Sequence, residues 1–155
     1  MKYAHAVKLR AIVDPSREDA VKQGILGLFE RPPDVVREEE AVSFDVDSAE
    51  DFTGDELRFI RTSFEKTRNT NEVLDTLRSE LSDGDRAMLA EQMDRLDEDL
   101  HFHIRLDLDS FLNGAYIVTE SGDCLHVRIK VAAYPAKKER AVDVIHDILG
   151  VSEND

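Results

Sequence analysis

The chain has 155 residues, 41% of them hydrophobic, and a formal net charge of −14, which suits one folded domain around one core. No apolar run approaches the ~18 residues of a membrane span, and the N-terminus "MKYAHAVKLR" lacks a signal-type apolar block. A single cysteine, Cys124, excludes an internal disulfide, so the chain reads as a cytoplasmic protein with no membrane partner.

In chain order, residues 6–13 alternate, with Val7, Leu9, Ala11 and Val13 on one face and Lys8, Arg10 and Ile12 on the other, which predicts a strand. Ser16 and Asp19 form an N-capping pattern ahead of a helix carrying Val21, Ile25, Leu28 and Phe29, and "RPPD" at 31–34 breaks the chain. Residues 35–46 give a weak strand signal, and the acidic stretch at 45–56 reads as a loop. Residues 56–64 predict a strand carrying Leu57 and Phe59. A helix follows near Asn71 with Val73, Leu74, Leu77 and Leu81 on one face. Ser82 with Asp85 caps the next helix, whose core face is drawn from Ala87, Leu89, Met93 and Leu96, all of them or a subset.

Residues 100–106 alternate cleanly, with Leu100, Phe102, Ile104 and Leu106 inward and His101, His103 and Arg105 outward. "AYIVT" and "CLHVRIKVAAY" predict a hairpin about "ESGD". In its second strand Leu125, Val127, Ile129 and Val131 share one face, and Cys124, His126, Arg128 and Lys130 the other. Pro135 opens the last helix, with core face Ala141, Val144, Ile145, Ile148 and Leu149, and Gly150 stops it. The fold class is α+β: a single domain spanning 1–155, with a mixed, largely antiparallel sheet and helices packed on it.

The charge is unevenly placed. Arginine (13) outnumbers lysine (7), and acids run through the whole chain, a pattern of adaptation to high intracellular salt and thus of a halophilic protein. Three segments escape it. Residues 1–10, 57–68 and 128–140 hold 12 of the 20 cations and 2 of the 34 acids. If they meet in space they form a basic face on an acidic body. The candidate contacts are Lys8, Arg10, Arg58, Arg105, Arg128 and Lys130. They are joined by Tyr134, Lys137, Lys138 and Arg140 of "YPAKKER", where lysines crowd an already positive helix N-terminus and so suit a phosphate.

Catalytic signals are absent from the sequence: there is no P-loop, GxGxxG or GxSxG motif. His101, His103 and His126 lack the spacing of a metal site, and Asp107 and Asp109 read as loop aspartates, so neither metal nor cofactor is expected. With no tryptophan and few outward aromatics, a nucleic acid, if one is bound, is expected to be met through its backbone and shape rather than by base stacking.

"RLDLDSFLNG", followed by a basic strand and "YPAKKERAVDVI", resembles an archaeal family of RNA-binding proteins also described as predicted RNA-exosome subunits; its halophile members are named for an operon with dephospho-CoA kinase. Residues 105–107, 114, 128–130 and 134–139 carry the resemblance; the lysine usual after RLD is Leu108 here. The resemblance implies a fold similar to that of the ribosomal protein that binds 5S rRNA. It also implies a non-enzymatic RNA-binding protein, accessory to RNA processing or exosome-mediated degradation. The competing reading is a homodimeric interaction protein that touches no nucleic acid. A small hydrolase using His101, His103 or Asp107 is a third.

Overall fold

The alternating residues of the first strand form the middle of a five-stranded sheet. The computed structural model describes residues 1–29 and 42–151. Its strands are β1 (Ala4–Val13), β2 (Asp45–Glu50), β3 (Glu56–Phe64), β4 (His101–Asp107) and β5 (Cys124–Val131). Its helices are α1 (Glu18–Leu26), α2 (Thr67–Glu80), α3 (Asp83–Glu91), α4 (Leu108–Leu112) and α5 (Lys138–Leu149). The strand order is β2-β3-β1-β5-β4, and every neighbouring pair is antiparallel, so the sheet is antiparallel rather than mixed.

One face of the sheet is covered by helices. Val7, Leu9, Ala11 and Val13 of β1, Ile60 and Phe64 of β3, Phe102, Ile104 and Leu106 of β4, and the four apolar residues of β5 are all buried. They join Val21 and Ile25 of α1, Val73, Leu74 and Leu77 of α2, and Ala141, Ile145 and Leu149 of α5 in one core. The alternation expected for β5 holds along its whole length: Leu125, Val127, Ile129 and Val131 are fully buried, and the residues between them are half-buried on the opposite face. Ser82 caps α3 as expected, its Oγ accepting from the Asp85 N–H at 3.1 Å, and Gly150 ends α5 at φ 67°.

Several expectations change. Asp14, not Ser16, caps the first turn: it accepts from the Ser16 N–H, and α1 starts only at Glu18. The acidic stretch at 45–50 is a strand, β2, lying at the sheet edge where charged residues are tolerated because only one side needs a partner. The break at 31–34 and most of the strand signal at 35–46 lie outside the described residues. β3 has the opposite phase to that expected: Ile60, Thr62 and Phe64 face the helices, whereas Leu57 and Phe59 are half-buried and outside the core. Of the residues expected on the core face of α3 and after it, Leu89 and Leu96 are buried, whereas Ala87 is exposed and Ala90 is buried in its place. "AYIVT" makes only an isolated bridge, Val118 to Leu106, and the Val118 N–H goes to the Asp85 carboxylate. The last helix begins at Lys138, three residues after Pro135.

The two faces of the sheet should respond very differently to truncation. Ile129→Ala is expected to destabilise the fold by about 2–5 kcal/mol, whereas Lys8→Ala should stay within about 0.5 kcal/mol of wild type. Urea unfolding monitored by circular dichroism measures both.

Candidate nucleic-acid interface

The face of the sheet away from the helices is built by the second half of each alternation. Lys8 and Arg10 project from β1, Arg61 from β3, Arg128 and Lys130 from β5, and His101, His103 and Arg105 from β4. The register places cations side by side. Lys8 is the direct cross-strand partner of Arg128, and Arg10 of Arg61. Arg128 in turn faces His103, Lys130 faces His101, and His126 stands between Arg10 and Arg105. Like charges directly opposite one another destabilise a sheet, yet this chain sets two such pairs together while 34 acids are at its disposal.

Elsewhere arginines find carboxylates. Arg17 pairs with Asp109, Arg78 with Asp75, Arg86 with Asp83 and Arg95 with Glu120. On the open face Arg61 pairs with Asp47 of the edge strand, and the Lys130 Nζ donates to the Asp99 carbonyl at 2.6 Å. The side chains of Lys8, Arg10, Arg105 and Arg128 make no ion pair or hydrogen bond with any described residue.

The ten residues singled out from sequence separate into three groups. Lys8, Arg10, Arg105, Arg128 and Lys130 come together on the open face. Arg58 does not join them: its side chain turns to the helix side, where it pairs with Glu18 at 3.3 Å and Glu56 at 2.6 Å. Its place on the open face is taken by Arg61, which the phase error in β3 concealed. Tyr134, Lys137, Lys138 and Arg140 form a corner at the rim, beyond the end of β5. Tyr134 is 78% exposed and lies edge-on to His5, with ring centroids 6.4 Å apart. Lys137 is exposed at the N-cap of α5. Lys138 lies 3.5 Å from Glu98, and Arg140 donates to the Tyr134 carbonyl at 3.2 Å and to Asp143 at 3.4 Å. Two of the corner's three cations are therefore already partnered within the chain.

The three histidines form a connected line that spacing alone did not reveal. Asp97, in the turn before β4, lies 2.9 Å from His103 Nε2, and His103 Nδ1 lies 3.1 Å from His126 Nε2. Burial opposes ionisation of Asp97, but the hydrogen bonds from His103 and from the backbone N–H groups of His101 and Asp99 outweigh it and hold the carboxyl at about 2. Burial, followed by the charges of Arg10, His103, Arg105 and Arg128, pushes His126 down to about 4. At neutral pH His126 is thus neutral, and the ionised carboxylate of Asp97 accepts the Nε2–H of His103. Asp97, Asp99 and His101 bring ligand-type atoms within 4.8 Å of one another. Asp97 Oδ1 there already accepts two backbone N–H groups at 2.9 Å, so this carboxylate serves the turn.

A family model described as RNA binding matches residues 6–131, from β1 through β5. The chain belongs to this RNA-binding family. The RNA-binding protein PAB1135 of Pyrococcus abyssi is 31% identical over 148 residues, covering 94% of both chains. Among solved structures, a DUF54 protein from Archaeoglobus fulgidus superposes with TM-score 0.75 at 21% identity, covering 94% of this chain and 99% of its own. A DUF54 protein from Methanothermobacter thermautotrophicus gives TM-score 0.74 at 26% identity, covering 95% and 98%. The part of the chain that matches the RNA-binding family contains the whole open face and ends before Tyr134.

The depressed value of His126 fixes the sign of a pH effect. Between about 4 and the ordinary histidine value of 6.5 the unfolded chain binds the proton and the folded chain does not. The contribution of His126 to stability is therefore complete above pH 6.5 and is lost as pH falls toward 4. His126→Asn is expected to lose less stability than wild type between pH 7 and pH 4.5, as read from urea midpoints at the two pH values.

Proposed function

We propose that this chain is a non-catalytic RNA-binding protein whose open sheet face takes the phosphate backbone of structured RNA. The observation that carries the reading is the set of cations Lys8, Arg10, Arg105 and Arg128, unpaired among the described residues and packed on neighbouring strands of a chain with net charge −14. An anionic ligand relieves their mutual repulsion and gains affinity from each contact, with little dependence on base sequence. The name of the Pyrococcus relative and the description of the family agree with it. The rim corner extends the same surface through Lys137, with Tyr134 beside it. A role accessory to RNA processing, exosome-mediated degradation included, extends this reading on the strength of the sequence resemblance. Pairing of two chains through this same face would set cation against cation, which disfavours the dimer reading.

The test is binding across a range of KCl, on protein shown to be folded at each concentration. Arg10→Ala with Arg128→Ala should weaken binding to every structured RNA tested. It should also flatten the log–log salt dependence by about one to two units, since each phosphate contact contributes roughly 0.7–0.9. Wild type that binds no RNA while folded, or a double variant with an unchanged slope, would overturn the proposal.

A further inference from the structure

Beside the cation rows the open face has a hollow of about 440 Å³, within the size range of small-ligand sites. Its walls are Arg10, Arg61 and Arg105, with His126, and Gly122 from the loop before β5 closes one side. Its floor is apolar. Phe59 and Ile12 are direct cross-strand partners on the open face, and Ile12 is 52% exposed. Backbone phosphates need the cations but have no use for an exposed apolar floor between them. A nucleotide uses both parts: its planar base stacks on an aromatic ring, and its phosphate accepts from guanidinium groups.

We propose that this hollow holds one unpaired nucleotide of the bound RNA, its base against Phe59 and Ile12 and its phosphate on Arg10 and Arg105. The proposal rests on the RNA-binding reading and sharpens it. The preferred ligand is a helix interrupted by a bulged or looped-out nucleotide, with the flanking duplex backbone lying along Lys8 and Arg128. Charge complementarity selects the occupant: Arg10 and Arg105 are without an acidic partner among the described residues, and Arg61 alone is paired, to Asp47. The planar guanidinium groups of Arg10 and Arg105 also suit the edges and faces of a base better than ammonium groups would.

The experiment compares a hairpin carrying a single-nucleotide bulge with the same hairpin fully paired, by fluorescence anisotropy across one range of KCl concentrations. Wild type should prefer the bulged RNA by about 5- to 100-fold, the range expected for one stacked base. Phe59→Leu keeps an apolar side chain and removes the ring; it should abolish that preference while leaving the salt slope unchanged. Ile12→Ala, at an exposed position, should reduce the preference without unfolding the chain. Equal affinity of wild type for the two hairpins, or equal weakening of both by Phe59→Leu, overturns the nucleotide site while leaving the phosphate surface standing. Failure to bind either hairpin overturns the RNA reading itself. Free nucleoside monophosphate binding as tightly as the bulged hairpin, or a Phe59→Leu variant that changes the oligomeric state in light scattering, also overturns it, because the occupant is then a metabolite or a second copy of the chain.

Discussion

Side chains along a strand must alternate between the two faces of its sheet, and in β1 and β5 this constraint sorts the chain's chemistry. Each apolar residue of Val7–Val13 and Leu125–Val131 that points toward the helices is buried. The residues between them have nowhere to go but the other side, and there the chain carries Lys8, Arg10, His126, Arg128 and Lys130. A slip of one residue in the β1–β5 register would drive those charges into the core and carry the apolar set into solvent. The hydrophobic effect therefore fixes the register, and the register builds the cation rows.

Those rows come at an electrostatic cost that the fold lessens in identifiable ways. His126, enclosed by Arg10, Arg105 and Arg128, stays neutral and is hydrogen-bonded to His103. Asp97 anchors that line from outside the sheet, and Asp47 shields Arg61 at the edge. Lys8, Arg10, Arg105 and Arg128 have no such compensation among the described residues.

Much of this was legible in sequence where one pattern acted alone. The strict alternation of residues 124–131 gave β5 with its correct faces, and the segregation of cations into three segments anticipated a basic face. Where two phases compete, the pattern is ambiguous. In "ELRFIRTSF" apolar residues stand at 57, 59, 60 and 64, so composition supports either face. The choice is made by pairing with β1 and by buried Thr62, whose hydroxyl donates to the Ser43 carbonyl at 2.7 Å. That ambiguity moved Arg58 onto the interface in place of Arg61, and hid Phe59 from it. "DVDSAE" was unreadable as a strand because an edge strand is stabilised by its neighbour rather than by its own burial. The link from Asp97 to His103 depends on a turn outside the strand, which no spacing rule covers.

The central claim is that RNA meets the open face of the sheet, and mapping backbone amide shifts by NMR on titration with a structured RNA hairpin tests it most directly. Perturbations concentrated on β1, β4 and β5 around Lys8, Arg10, Arg105 and Arg128, with α1, α2 and the distal part of α5 unchanged, are the predicted result. Perturbations confined to the helical side, or to the rim at Tyr134–Arg140 with the sheet face silent, would contradict it.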